Sequence, residues 1–312
     1  MTVEVSGLGK RYGDQWALRD LDLSVPKGTI LGLLGHNGAG KTTTIRILTT
    51  LSQPTEGTAS VAGIDVVKHA GEVRRRIGVA AQQATVDGLL SARLNLEMVA
   101  RLNGFSKKEA RARADQLLEQ FDLVESTTKL AKALSGGMRR RLDLAASLVT
   151  RPEVLFLDEP TTGLDPRSRN DLWAMLREIV RDGSTIILTT QYLEEADRLA
   201  DDVVVLDHGK TVAHGTPLEL KQQIGNDRID VKVRSAEELS QVEKVGAAFA
   251  TNVISTDQDL LVAIIPIAAD ARLIDIVRTL DENGIDAVDI NRRQASLDDV
   301  FLSHTSPKGA TR

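Results

Sequence analysis

Nine consecutive residues of this chain have the types and spacing of a loop that binds phosphate groups. They are Gly35, His36, Asn37, Gly38, Ala39, Gly40, Lys41, Thr42 and Thr43. This series fits the pattern G-x-x-x-x-G-K-[ST]. Its glycines let the backbone turn several N–H groups toward one anion, Lys41 adds a full positive charge, and the Thr42 hydroxyl is suited to binding Mg²⁺. The segment therefore predicts a site for a nucleoside diphosphate or triphosphate.

The residues on either side of this loop predict the elements that position it. Residues 29–34 form a short, nearly all-apolar run, which is typical of a strand buried on both faces. Residues 43–51 place apolar side chains as a helix packed on a sheet would. The N-terminus of that helix adds a positive partial charge at the loop. Strand, glycine-rich loop and helix, in this order, are the context that the motif requires.

Two acidic residues, Asp158 and Glu159, form a second group suited to phosphate chemistry. They come directly after the apolar run Val154–Leu157, and an α/β fold places its ligand-binding groups at the carboxyl ends of its strands. We expect Asp158 to hold Mg²⁺ together with Thr42. Glu159 is expected to polarise a water molecule against the terminal phosphate. The alternative is that the two acids only cap the turn that follows.

The composition narrows the class of protein. The 312 residues include 39 basic and 44 acidic side chains, for a net charge of −5, so no nucleic-acid partner is expected. The arginine triplet Arg74–Arg76 is accordingly expected to face solvent. Arg139–Arg141 follow on a predicted helix and are expected on its solvated face, with phosphates or a partner chain as the alternative contacts. The absence of cysteine excludes disulfides, and no apolar segment is long enough to cross a bilayer. The histidines are expected to form no metal site, because His208 and His214 flank a glycine turn without nearby carboxylate or thiol partners.

The pattern of apolar residues predicts an α/β fold in two domains. Residues 1–224 alternate strands and helices around an all-helical insert at about 86–150. Residues 225–312 read as strand, helix, strand, strand, helix, strand, which is the order of a small α+β ferredoxin-like domain. Within that second domain, residues 306–312 are expected to be disordered.

The segment Leu134-Ser135-Gly136-Gly137, which precedes Asp158, resembles the signature motif of ATP-binding cassette (ABC) ATPases. The order and spacing of the motifs match this family across residues 1–215. The resemblance implies a P-loop NTPase fold, made of an ABC ATPase core with an antiparallel β subdomain and a helical subdomain, and it implies hydrolysis of ATP. Within the family, the chain resembles drug-export subunits of the daunorubicin-resistance type through its single cassette and the segments Thr189–Asp197 and Ser296–Leu302.

The resemblance also implies roles for individual residues. Tyr12 would stack on the adenine ring, although it could equally cover a strand edge. Gln82 would sense magnesium and water, and Asp165 would contact an opposing subunit. Ser135–Gly137 would donate hydrogen bonds to the γ-phosphate that the other subunit holds, so that two chains share one active site.

Gln191 departs from the family pattern. Most ABC ATPases place a histidine at this point, after the strand that here ends in Thr189 and Thr190. An amide can donate a hydrogen bond to the γ-phosphate but cannot carry a proton near neutral pH. Because phosphoryl transfer depends mainly on positioning and electrostatics, we expect slower hydrolysis and not its loss.

A shared site implies partners and a location. It requires a second copy of this chain, and transport requires a separately encoded membrane permease. Residues 1–6 lack the features of a secretory signal, so the chain is expected at the cytoplasmic face of the cell membrane as a peripheral subunit. A soluble ABC ATPase without a transport role and a regulatory nucleotide-binding subunit with weak turnover remain alternatives.

Overall fold

The computed structural model of the chain describes residues 1–81, 85–224, 227–268, 270–293 and 296–297. The chain divides into two units, Met1–Pro217 and Leu218–Arg312. This division falls before residues 218–224, which the sequence places with the first domain. The predicted disordered tail at 306–312 lies outside the described residues.

The elements of the first unit alternate between strands and helices. In chain order they are β1 (Val3–Tyr12), β2 (Gln15–Val25), β3 (Ile30–Leu34), α1 (Lys41–Leu48), β4 (Glu56–Val61), β5 (Ile64–Asp65), α2 (Ala70–Arg76), β6 (Ile77–Ala80), α3 (Ala92–Leu102), α4 (Lys107–Gln120), α5 (Gly136–Ser147), β7 (Val154–Asp158), α6 (Pro166–Arg181), β8 (Thr185–Thr190), α7 (Leu193–Leu199), β9 (Asp202–Asp207) and β10 (Lys210–Gly215).

Six of these strands form a central sheet in the order β10-β9-β3-β8-β7-β6. Neighbouring strands are parallel except for β10, which pairs antiparallel with β9. Alternate residues of β7 enter different hydrophobic clusters, with Leu155 and Leu157 in one and Val154 and Phe156 in the other. A parallel sheet covered on both faces needs such continuous apolar strands, which is why its strands are readable from the sequence.

The carboxyl ends of β3, β8 and β7 meet at one edge of this sheet. Leu34 pairs with Thr190, and Asp158 pairs with Thr189. The phosphate loop begins after Leu34, and Gln191 follows Thr190. The sheet thus brings together loops that are far apart in the sequence.

A second sheet of the first unit has the antiparallel order β2-β1-β4-β5. Its apolar side chains join those of α1 and of the central sheet in one cluster. Strand β1 extends to Tyr12, because its ladder with β2 continues through register shifts. Gly7, with a φ of 54°, lies where one of these shifts occurs.

The insert between β6 and β7 contains α3, α4 and α5 together with two 3₁₀ turns, at Val124–Ser126 and Ala131–Ala133. A capping box begins α4: the Ser106 hydroxyl accepts from the Glu109 N–H, and the Glu109 carboxylate accepts from the Ser106 N–H. The predicted α/β architecture with an antiparallel sheet and a helical insert is confirmed. In the described part of the chain, no helix is long and apolar enough to span a membrane.

Beyond β10 the elements are α8 (Pro217–Ile224), β11 (Arg228–Lys232), α9 (Ala236–Gly246), β12 (Ser255–Asp257), β13 (Val262–Pro266), α10 (Leu273–Glu282) and β14 (Asp289–Arg293). The four strands form an antiparallel sheet in the order β12-β13-β11-β14. Apolar residues of α9 and α10 pack with those of the sheet in a separate core. The description of this unit as ferredoxin-like stays a prediction.

Candidate phosphate-binding and hydrolytic site

The phosphate loop connects β3 to α1, which begins at Lys41. Gly40 has a φ of 110°, in a left-handed region that side chains rarely allow. A Cβ atom at Gly40 would lie 2.8 Å from the Ala17 carbonyl oxygen, and a Cβ atom at Gly35 would lie 2.5 Å from the Leu206 carbonyl oxygen. These two positions therefore require glycine, because any side chain would collide with the backbone of a neighbouring segment.

The ammonium group of Lys41 lies within this loop. Its Nζ donates to the Gly35 carbonyl oxygen at 2.6 Å and to the His36 carbonyl oxygen at 3.2 Å. Burial lowers the pKa of Lys41, while the negative charges of Glu159 and Asp158 oppose this shift. A phosphate group in the loop would offer the ammonium group stronger acceptors than these neutral carbonyl oxygens.

Thr42 and Asp158 place hard oxygen atoms side by side. The Thr42 hydroxyl donates to Asp158 Oδ2 at 3.4 Å, and the Thr189 hydroxyl donates to Asp158 Oδ1 at 2.5 Å. A hydroxyl and a carboxylate are oxygen ligands of the kind that Mg²⁺ prefers, so this donor set fits a magnesium ion. The third predicted ligand, Gln82, lies outside the described residues.

Glu159 is held in an unusual backbone conformation next to Asp158. Its φ is +48°, which is uncommon for a residue other than glycine. Its N–H lies 3.0 Å from the carbonyl oxygen and 3.1 Å from the hydroxyl oxygen of Thr189. Its Oε2 accepts hydrogen bonds from the Gln191 amide and from the Thr162 hydroxyl, each at 3.3 Å. The structure thus brings Glu159 and Gln191 together.

Ser135, Gly136 and Gly137 form the start of α5, away from the phosphate loop. The Ser135 hydroxyl caps the helix by accepting from the Met138 N–H at 3.2 Å. Ser135 and Gly137 line a cavity of about 590 Å³ with Arg141 and Arg167, and no phosphate-loop residue is among its described lining residues. This cavity is therefore separate from the phosphate loop among the described residues.

Asp165 lies beside this cavity at the start of α6. It accepts from the Ser168 N–H at 3.0 Å and from the Ser168 hydroxyl at 2.6 Å, and these bonds lower the pKa of Asp165. A Cβ atom at Gly137 would lie 2.8 Å from the Ser168 hydroxyl oxygen. The structure therefore links Asp165 to the Ser135–Gly137 segment through Ser168.

Tyr12 ends β1 with its side chain half exposed. The Lys10 ammonium nitrogen lies 5.1 Å from the centre of its ring, a cation–π distance. The Tyr12 ring is therefore open to solvent beside a positive charge. Stacking on adenine stays a prediction for this residue.

Arg140 contradicts the prediction that Arg139–Arg141 face solvent. Its guanidinium group is buried and donates to three backbone carbonyl oxygens, those of Pro160 at 2.8 Å, Ala81 at 2.7 Å and Asp158 at 3.4 Å. The prediction was wrong because charge in the sequence does not reveal which side chain of a helix meets the carbonyl oxygens at the ends of neighbouring strands.

Asp143 lies one helical turn after Arg140 and pairs with it at 3.2 Å, with a side chain that is completely buried. Its other oxygen accepts from the Thr85 N–H at 2.7 Å and the Thr85 hydroxyl at 2.6 Å. Ala81 and Thr85 flank the segment that contains Gln82. Helix α5 therefore holds both ends of that segment, and the sequence signal for this was an Arg–Asp pair spaced i, i+3.

Glu195 is a second residue that the sequence analysis missed. It is fully buried and accepts from the Trp173 indole N–H at 3.1 Å. Burial raises the pKa of Glu195, and the hydrogen bond from Trp173 opposes that shift. Glu195 therefore connects α7 to α6, which carries Trp173.

The prediction that His208 and His214 lack nearby carboxylate partners is also wrong, since His208 Nε2 lies 3.9 Å from Asp207 Oδ1. His36 Nε2 lies 2.8 Å from Asp207 Oδ1, and His214 Nε2 lies 2.7 Å from Asp202 Oδ2. The contact between His36 and Asp207 joins residues that are 171 positions apart, because β9 lies next to β3 in the sheet. Local sequence carries no signal for such a pair.

Known proteins resemble this chain in sequence and in fold. The family model described as "ABC transporter" matches residues 18–162. Daunorubicin resistance ATP-binding protein DrrA3 of Streptomyces coeruleorubidus is 52% identical over 97% of this chain and 95% of its own length. Daunorubicin/doxorubicin resistance ATP-binding protein DrrA of Streptomyces peucetius is 46% identical over 97% of this chain and 92% of its own length.

One solved structure relates the fold to a reaction. It is a dimeric post-hydrolysis state of the ATP-binding cassette MJ0796 bound to ADP and Pi, which matches with a TM-score of 0.63 and 26% identity over 69% of this chain and 98% of that chain. The match covers a protein whose bound ligands are the products of ATP hydrolysis.

Proposed function

The chain belongs to the ATP-binding cassette (ABC) transporter family, and from this membership we propose that it is the ATP-hydrolysing subunit of a drug exporter. Membership confirms the predicted ABC ATPase core, and the chain binds and hydrolyses ATP. One observation carries the hydrolytic role: the phosphate loop, Asp158 and Glu159 meet at one edge of the central sheet.

The residues at this edge have separate roles in ATP hydrolysis. Backbone N–H groups of Gly35–Thr43 and the Lys41 ammonium group bind the phosphates. Thr42 and Asp158 would hold Mg²⁺, which neutralises charge on the phosphate oxygens when it is bound. Glu159 orients the attacking water and accepts its proton. Gln191, which donates to Glu159 at 3.3 Å, fixes the orientation of that carboxylate.

A second copy of the chain completes the proposed site. Ser135 and Gly137 line a cavity whose described lining contains no phosphate-loop residue, so a partner's Ser135–Gly137 segment would supply these donors to the loop. Their small side chains and the start of a helix suit an anion, and Asp165 lies beside them through Ser168. A related cassette, MJ0796, is dimeric, which supports the same assembly here.

The proposed cargo is a lipophilic drug, and the proposed partner is a separately encoded membrane permease. The support is the 52% identity to a daunorubicin resistance ATP-binding protein over nearly the whole of both chains. As a peripheral subunit the chain would bind the permease at the cytoplasmic face of the membrane. A soluble ABC ATPase without a transport role and a regulatory subunit with weak turnover are the competing functions.

The test is drug accumulation in sensitive cells that express the chain together with its proposed, separately encoded membrane permease. We expect cells with the wild-type chain to accumulate less daunorubicin than cells with the Glu159→Gln variant. Equal accumulation, with an assembled complex that hydrolyses ATP, would contradict drug export. An assembled complex without ATP turnover would favour the regulatory function.

Gln191 gives a separate prediction about rate. The substitution Gln191→His is expected to raise the turnover of the assembled complex by about fivefold. A protonated imidazole makes a charge-assisted hydrogen bond to the γ-phosphate that is roughly 1 kcal/mol stronger than the hydrogen bond of an amide. Steady-state phosphate release measures the turnover. If the rate does not change, Gln191 does not limit hydrolysis.

A further inference from the structure

Two histidines and an aspartate meet beside the phosphate loop. His36 belongs to the loop, Asp207 is the last residue of β9, and His208 follows it in the turn to β10. His36 Nε2 lies 2.8 Å and His208 Nε2 lies 3.9 Å from the same oxygen, Asp207 Oδ1. The ligand atoms of the three side chains all lie within 4.8 Å of one another, a grouping that no other histidines or acids among the described residues match.

Hydrogen bonding orients the His36 ring toward Asp207. Its Nδ1 lies 2.6 Å from the Asn37 carbonyl oxygen, which can only accept, so Nδ1 is the nitrogen that donates. Nε2, the other ring nitrogen, faces Asp207 Oδ1. Histidines that bind metals commonly donate their other N–H to a backbone carbonyl in this way.

We propose that His36, Asp207 and His208 bind one divalent transition-metal ion of the Zn²⁺ class. Two imidazoles and one carboxylate suit zinc or cobalt, whereas Mg²⁺ prefers oxygen ligands alone. Tetrahedral zinc with bonds of about 2.0–2.1 Å separates its ligand atoms by about 3.3 Å. The observed 2.8 Å and 3.9 Å lie on either side of that value. The His208 side chain is 85% exposed and free to rotate toward the ion, and water would fill the fourth position.

Such an ion would tie the phosphate loop to the β9–β10 turn. The two already touch, since the Gly209 N–H donates to the Ala39 carbonyl oxygen at 3.0 Å. His36 also provides a carbonyl oxygen to Lys41 Nζ at 3.2 Å, so an ion on its ring restrains the residue next to the phosphate-binding ammonium group. Metal occupancy is therefore expected to weaken ATP binding. This inference does not depend on what the chain transports.

The test uses the full-length chain without nucleotide, in excess Mg²⁺ so that the Thr42–Asp158 oxygens are supplied with their own ion. Cobalt(II) absorption and zinc titration calorimetry should each report one bound ion per chain. The substitution His208→Asn is expected to weaken binding at least about tenfold, the loss that even an outer partner of a metal ligand causes. Asparagine suits this position because His208 has a φ of 46° and asparagine tolerates the left-handed region.

His214→Asn is the matched control. His214 lies in the same hairpin and pairs with Asp202 at 2.7 Å, but it belongs to no such group of three ligands among the described residues, so wild-type metal affinity is expected. In a second measurement, zinc should lower the ATP affinity of the wild type more than that of His208→Asn. A wild-type chain that binds no cobalt, or equal affinities of wild type and His208→Asn, would overturn the site. Equal zinc effects on ATP binding would overturn its link to the loop.

Discussion

The Glu159→Gln variant is expected to bind ATP and to hydrolyse it about 10²–10⁴ times more slowly than the wild type, the usual contribution of a positioned base. Glutamine keeps the size of the side chain and an oxygen that can accept from Gln191 and Thr162. The backbone bonds from the Glu159 N–H to Thr189 do not involve the side chain, so the φ of +48° is expected to persist. The substitution removes the capacity to take a proton from water, together with one negative charge near Lys41.

Two measurements follow from this substitution. Phosphate release by the complex with its membrane partner reports the rate, and size-exclusion chromatography with ATP reports assembly. Because ATP remains intact, the variant is expected to accumulate as an ATP-bound dimer in which each Ser135–Gly137 segment covers the other chain's phosphate loop. A variant that stays monomeric with ATP and the membrane partner present would refute the shared site.

Glu178→Gln is the matched control for this experiment. It makes the same chemical change on an exposed position of α6, so a rate close to that of the wild type is expected. Turnover of Glu159→Gln within a few-fold of this control would show that another group activates the water. The comparison separates loss of the base from the general effect of removing one negative charge.

The sequence predicted those parts of the site whose residues lie close together in the chain. The phosphate loop, its strand and its helix are contiguous, so their order tests the motif directly. Asp158 could be placed at a strand end because a strand buried on both faces reads as one apolar run, here Val154–Leu157. The helical insert was likewise visible as a change of apolar period.

The parts that the sequence did not predict are contacts across the fold. His36 and Asp207 meet because β9 is the neighbour of β3, a fact that follows from strand order and not from either segment. Glu195 looked like one acid among several on a short polar helix, and its burial against Trp173 depends on how α6 and α7 pack. Strand order and helix rotation are tertiary properties, which a local period does not encode.

Arg140 is the strongest case of this kind, and its replacement is expected to destabilise the first unit. The Arg140→Ala variant removes the donor from the carbonyl oxygens of Ala81 and Pro160 and leaves Asp143 with a buried charge. Removing one partner of a buried ion pair typically costs about 3–5 kcal/mol. We expect about 3 kcal/mol here, since Thr85 still donates two hydrogen bonds to Asp143.

Denaturant unfolding followed by tryptophan fluorescence measures this loss in the first unit alone, because the two tryptophans are Trp16 and Trp173. Arg75→Ala is the control: Arg75 is exposed on α2, and a change within about 0.5 kcal/mol is expected for such a surface position. Arg140→Lys should recover only part of the stability, because one ammonium group cannot span the acceptors that a planar guanidinium reaches. A lysine variant as stable as the wild type would show that the positive charge alone matters. The several N–H donors of the guanidinium group would then not be what holds α5 to the strand end that carries Asp158.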